Sequence, residues 1–308
     1  MPILSNSTVA LRRYLALAAP LVLVFGACSQ PSQDVAPHPP TTGMLPVTGG
    51  ELYWEALGSG PAIVLLHGGL LDSTTWDREF ERLAGSYRVV RYDARSHGRS
   101  SVNQGEYSHA EDLVALLDGL AIERAVLVGL SLGGRTAIDT AIAHPERVAA
   151  VVGVAPGMSG WMFRDPVLQK NWQEQTKAAR AQDTDGYVEW FLRSWTDGPK
   201  RTPDAVDPEV RERIRGIAKH NLERTATSSG SVREVGALER VTEIRTPTLA
   251  MVGELDMSDI HGIADLLVSS IPGARKVVIP DVGHMINLEA PERFDQELES
   301  FLATLESW

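Results

Sequence analysis

Residues Gly129-Leu130-Ser131-Leu132-Gly133 stand between the apolar run Ala125-Val126-Leu127-Val128 and the helix-compatible stretch Arg135-Thr136-Ala137-Ile138. A serine with a glycine two positions away on each side, at a strand-to-helix junction, fits a sharp turn that lifts its hydroxyl above a sheet. The glycines have a steric purpose. The serine of such a turn is strained, and neighbours without a Cβ let strand and helix pass closely. The same pattern also occurs as an incidental small-residue turn, so the rest of the chain must decide between the two.

Around that turn the sequence alternates between buried-strand and helix patterns. Ala62-Ile63-Val64-Leu65-Leu66 is a continuous apolar run, as expected of a parallel strand covered on both faces. Tyr87–Tyr92, Val148–Val154, Pro247–Val252 and Arg275–Ile279 read as further strands, and Glu51–Leu57 as the first. Between them, Ala110–Leu120, Ile260–Ser270 and Pro291–Leu305 carry apolar residues at helical spacing. Alternation of this kind calls for a parallel sheet with helices on both faces, an α/β fold. It breaks between about residues 156 and 245, where no strand is evident. Short helices are expected there, among them Tyr187–Trp195 and Pro208–Leu222. Trp161, Trp172, Trp190 and Trp195 fall within this insertion. They are expected both to pack its own small core and to line a pocket beneath a helical lid.

The amino terminus is a different kind of sequence. Arg12 and Arg13 precede an apolar stretch from Tyr14 to Phe25 that is too short for a comfortable mature membrane span. It runs into Phe25-Gly26-Ala27-Cys28, and Cys28 is the sole cysteine of the 308 residues. This resembles the lipobox of bacterial lipoproteins, with Phe25 where leucine is more usual and Gly26 a less common choice. The resemblance implies that residues 1–27 are removed, that Cys28 is lipidated, and that the protein sits in the bacterial cell envelope. A plain secretory signal and an uncleaved anchor are the alternatives. Residues 28–48 are rich in Pro, Ser, Gln, Thr and Gly and read as an extended tether, leaving residues 49–308 for the folded domain. With one cysteine no internal disulfide is available, so the fold rests on its core. The formal charge of −11 leaves no basic stripe for a phosphate backbone, which argues against nucleic acid as a partner.

A serine hydroxyl is a poor nucleophile at neutral pH and needs a base, usually a histidine oriented by a carboxylate. With Ser131 as nucleophile, the order expected in this architecture is serine, acid, histidine. Asp256 follows the strand ending at Val252, and His284 follows the last strand. Open α/β sheets gather ligands at the carboxyl ends of their strands, so the three loops are expected to converge. Asp259 is the reserve candidate for the acid, and helix capping is the plainer role for either aspartate. The oxyanion of acyl transfer needs N–H donors, for which Leu132 and Gly69 are the first choices and Leu70 the fallback. His67, His97, His109, His144, His220 and His261 lack the strand-end setting of His284. No histidine pair has metal-ligand spacing with a supporting carboxylate, so neither a metal nor another cofactor is expected.

The segments His67-Gly68-Gly69, Asp93-Ala94-Arg95-Ser96-His97-Gly98-Arg99-Ser100, Gly129–Gly133, Gly253-Glu254-Leu255-Asp256 and Gly283-His284 occur in one order. Taken together, residues 50–305 resemble the α/β-hydrolase superfamily, in particular members with a helical cap between core strands 6 and 7. Ser96 departs from the pattern, since relatives usually carry glycine there. Serine at 131 is similar to esterases, lactonases, C–C bond hydrolases and haloperoxidase-like members, and unlike the haloalkane dehalogenases and epoxide hydrolases, which need a carboxylate nucleophile. Ile271–Arg275 and Glu289–Phe294 further resemble enol-lactone hydrolases and small esterases. The resemblance implies a serine hydrolase of a small carboxylic ester or lactone. C–C bond cleavage or perhydrolysis on the same triad, and an anchored binding module on a hydrolase scaffold, are the competing readings.

Overall fold

The computed structural model describes residues 39–305. The expected signal segment, Cys28 and the tether as far as residue 38 lie outside the described residues. One sheet of eight strands organises the chain: β1 (Thr41–Val47), β2 (Gly50–Leu57), β3 (Ala62–Leu66), β4 (Arg88–Tyr92), β5 (Ala125–Leu130), β6 (Val148–Val154), β7 (Thr248–Gly253) and β8 (Arg275–Ile279). Their spatial order is β1-β2-β4-β3-β5-β6-β7-β8. From β3 to β8 all pairings are parallel, while β1 and β2 join antiparallel at one edge.

The central strands are made by the apolar runs. Every residue of β3, β5, β6 and β7 is buried, because helices cover both faces. Each such Val, Leu or Ile contributes roughly 1.5–3 kcal/mol on burial. Helices α1 (Asp77–Leu83), α2 (His109–Gly119), α3 (Leu132–Ala143), α8 (Ser258–Ser270) and α10 (Pro291–Leu302) do the covering. The chain steps from β3 to β4 in one direction and then crosses back over β3 to β5. Strand order therefore reverses between β3 and β5, and the loops leaving those neighbours flank the crevice where such sheets bind ligands.

One boundary differs from the expectation. The tether assigned to residues 28–48 ends earlier, because Thr41–Val47 is a strand paired with β2 in register from Thr41↔Ala56 to Val47↔Gly50. It is an edge strand whose inner face holds only half-buried Gly43, Leu45 and Val47, too few apolar groups to stand out. Pro46 is tolerated because an edge strand has no second neighbour requiring its N–H. The first strand read at Glu51–Leu57 is consequently the second, and the folded domain begins near residue 41 rather than 49.

The break in alternation is a helical insertion between β6 and β7. It holds α4 (Pro166–Arg180), α5 (Thr184–Leu192), α6 (Pro208–Thr225) and the short α7 (Ala237–Arg240), with a π-helical turn at Arg193–Asp197. Ser231–Val232 pairs with Glu106–Tyr107 as a minimal ribbon. Asp165 and Asp207 cap α4 and α6 ahead of Pro166 and Pro208, aspartate at the cap and proline at the first turn. The insertion is pinned at both ends. Asp259 accepts from Arg164 N and Asp165 N at 2.8 and 2.7 Å, and Asn221 of α6 accepts from Gly98 N at 2.7 Å.

The loop after β8 runs into α9 (Ile286–Glu289), which is tied to the α1 region by Asn287 Nδ2 donating to Thr75 O at 2.9 Å. Beside it, Arg78 and Arg82 reach Asp295 of α10 at 2.6 and 2.8 Å. Glu79 is 1% exposed here, and burial, helped by the charge of Asp295, pushes its carboxyl from 4.5 up to about 7. The folded chain thus holds a proton that the unfolded chain releases. Stability from protonated Glu79 is complete below pH 4.5 and is lost as pH rises through about 7. Glu79→Gln keeps the shape without the charge. In thermal melts it is expected to raise Tm by roughly 3–10 °C at pH 8 and to leave it nearly unchanged at pH 5. An unchanged Tm at pH 8 would contradict the assignment.

Candidate active site

The turn at Ser131 joins β5 to α3. Ser131 has φ 52° and ψ −106°, a conformation that costs a non-glycine residue about 1–3 kcal/mol. Its surroundings hold it there. Ser131 N donates to Val154 O at 2.9 Å, and Ser131 O accepts from Arg135 N at 2.9 Å and Gly157 N at 3.0 Å. The flanking glycines are required by contact. A Cβ on Gly129 would collide with the Gly133 backbone, and one on Gly133 with the backbone of Leu66 in β3.

The loop after β3 lies beside this turn. His67 and His97 shape it, each in a defined neutral tautomer. Nδ1 of His67 donates to Gly68 O at 2.8 Å while Nε2 accepts from Ala94 N at 2.9 Å. Nδ1 of His97 donates to Arg95 O at 2.8 Å while Nε2 accepts from Leu70 N at 3.2 Å. Burial lowers the His97 pKa to about 3, so it stays uncharged. These bonds separate the two oxyanion candidates. The Leu70 N–H is spent on His97, whereas Gly69 lines the same cavity as Ser131 and Leu132. Leu132 is the first residue of α3, where a backbone N–H has no partner within the helix.

Asp256 and His284 come from the loops after β7 and β8, which are clasped together. Glu254 N donates to Ile279 O and Leu255 N to Val282 O, both at 2.9 Å. A side chain on Gly253 would strike the backbone of Val282 and Gly283, so this approach requires glycine. His284 Nδ1 lies 2.7 Å from Asp256 Oδ2, and both side chains are at most 2% exposed. A carboxylate there fixes the proton on Nδ1 and leaves Nε2 as the acceptor. That Nε2 has no hydrogen-bond partner among the described residues, and His284 lines the cavity with Ser131. Asp256 Oδ1 takes the N–H of Met257 at 2.7 Å, which holds the carboxylate in place. The reserve acid Asp259 is engaged elsewhere, binding Trp161 Nε1 at 3.1 Å as well as the two backbone N–H groups at the root of the insertion.

The cavity measures about 570 Å³, within the range of small-molecule sites. The insertion roofs it with Trp161, Met162, Phe163, Phe191 and Trp195. Of the four tryptophans singled out in the sequence, Trp161 and Trp195 face the cavity, while Trp172 and Trp190 do not. Trp195, on the π-helical turn, packs against His284 with ring centroids 4.7 Å apart, so the roof touches the histidine directly. Sequence reasoning passed over Arg135 and Glu234, both of which line the cavity. The spacing of Arg135, one helical turn after Ser131, was a usable signal, whereas nothing local in the sequence marks Glu234.

The chain is similar in sequence and fold to known hydrolases. A hydrolase from Pseudomonas aeruginosa is 30% identical, with 85% of this chain and 98% of the other covered and a TM-score of 0.70. The enol-lactonase from Burkholderia xenovorans is 26% identical over 85% of this chain and all of its own, with a TM-score of 0.65. The pimeloyl-[acyl-carrier protein] methyl ester esterase of Aeromonas hydrophila is 29% identical over 80% of this chain and 98% of its own. The model of the alpha/beta hydrolase family matches residues 63–297. With that match, this sheet order and a helical insertion between β6 and β7, the chain belongs to the alpha/beta hydrolase family.

Proposed function

We propose that the protein is a serine hydrolase acting on a small carboxylic ester or lactone. The reading rests on one observation above all. A buried histidine is held by a carboxylate at 2.7 Å, and its other ring nitrogen, without a partner among the described residues, belongs to a cavity that also contains Ser131. In this mechanism Ser131 Oγ attacks the acyl carbon as His284 Nε2 takes its proton. The Asp256 carboxylate stabilises the imidazolium that forms. The N–H groups of Leu132 and Gly69 receive the oxyanion, each worth about 3–4 kcal/mol in the transition state. His284 returns the proton to the leaving alkoxide, and a water activated by the same nitrogen releases the acid from the acyl-enzyme. An ester or lactone fits because the walls are mostly apolar, so the substrate is held by its hydrocarbon parts. The esterase and enol-lactonase named among the relatives act on this class of bond.

Hydrolysis of p-nitrophenyl butyrate tests the reading. Ser131→Ala is expected to lower kcat/KM by about 10⁴-fold or more, and Asp256→Asn by on the order of 10³–10⁴. Equal rates for wild type and Ser131→Ala would remove Ser131 from the mechanism.

We further propose that residues 1–27 act as a lipoprotein-type signal and that Cys28 carries the lipid, which would hold the hydrolase at a membrane surface. The support is sequence alone: Arg12 and Arg13, the apolar stretch behind them, and a sole cysteine at the processing position. Metabolic labelling with a palmitate analogue is expected to vanish in Cys28→Ala, and unchanged labelling would overturn the assignment.

A further inference from the structure

Besides His284, two ionisable side chains among the described residues line the cavity, Arg135 and Glu234, and they are bonded to each other. Arg135 lies on α3 one turn beyond Ser131, a rise of about 6 Å. Its Nη2 donates to Glu234 Oε1 at 2.6 Å. Glu234 lies between the Ser231–Val232 strand and α7, and its second oxygen accepts from Gly160 N at 3.2 Å. The side chains are 23% and 44% exposed while lining the cavity, which puts the pair where the cavity opens to solvent. Asp139 Oδ2 stands farther off, at 4.0 Å from Arg135 Nε, while its Oδ1 accepts from the Ser159 hydroxyl at 2.5 Å. Glu234 is thus the nearer carboxylate, bonded to the guanidinium through Nη2.

A guanidinium beside an apolar cavity is a ready receptor for a carboxylate, which it binds through two parallel N–H bonds. Here that receptor already holds a carboxylate on Nη2. An anionic group arriving at the same place would meet the Glu234 charge at close range, and the net charge of −11 adds to the repulsion. We propose that Glu234 is a specificity-determining residue. By neutralising Arg135 it reserves the cavity for uncharged esters, and loss of its charge opens the site to esters that carry a second, anionic end. This rests on the hydrolase reading above and adds the substrate class to it.

The test compares three esters that share a six-carbon acyl chain. p-Nitrophenyl hexanoate is neutral, mono-p-nitrophenyl adipate carries a carboxylate at the acyl end, and 4-(hexanoyloxy)benzoate carries one on the leaving group. Glu234→Gln keeps an oxygen for Gly160 N–H while removing the charge, and Glu234→Ala is the second variant. Each variant's own neutral-ester rate serves as the reference. In both variants the ratio of kcat/KM for at least one anionic ester to that for the neutral ester is expected to rise at least fivefold. The rise should come mainly through KM, shrink with added salt, and disappear in Glu234→Gln combined with Arg135→Gln. A smaller rise for both anionic esters, or one that persists in the double variant, overturns the proposal. Wild-type protein inert on all three esters would instead remove the hydrolase reading on which it rests.

Discussion

The close passage of β5 and α3 around Ser131 is the constraint on which the rest of the structure depends. A left-handed, strained residue is held there by three backbone hydrogen bonds to Val154, Arg135 and Gly157. The passage is possible only because Gly129 and Gly133 present no Cβ to each other or to Leu66. Two such bonds lead beyond α3, to the end of β6 and the loop that follows it, so the turn is locked by neighbouring strand connections rather than by itself. The cost of about 1–3 kcal/mol is small beside the burial of four fully covered strands. The reward is a hydroxyl lining a cavity, with the first N–H groups of a helix beside it.

The second clasp repeats this logic. Gly253 allows the loops after β7 and β8 to touch, and that contact brings Asp256 and His284 to hydrogen-bonding distance. In both places glycine sets a backbone approach and the ionisable or nucleophilic side chain follows from it. The insertion then adds what the sheet cannot supply, an apolar roof whose Trp195 packs on His284. The sheet thus carries Ser131, Asp256 and His284, and the roof and the Arg135–Glu234 pair border the cavity lined by Ser131 and His284.

Much of the fold was legible because fully buried parallel strands are written as unbroken apolar runs. Ala62–Leu66 and Val148–Val154 need no tertiary information to be seen. The glycine-flanked serine and the strand-end Asp256 and His284 were legible too, since their setting is local. β1 was not, because an edge strand with a proline and one half-buried face looks like a linker. Which of four tryptophans faces the cavity depends on how α4, α5 and the π-helical turn pack. No spacing rule separates Trp195 from Trp190. The choice between Gly69 and Leu70 needed the His97 hydrogen bond, a contact across 27 residues. Glu234 was invisible for the same reason, as its partner Arg135 lies 99 residues earlier.

In the proposed mechanism Ser131 is the residue that becomes acylated. A fluorophosphonate reagent bonds covalently to an activated serine, and mass analysis of the digested protein locates the adduct. A single adduct is expected, on the peptide containing Ser131, and it is lost in Ser131→Ala. An adduct on any other residue, or labelling that persists after that substitution, would contradict it.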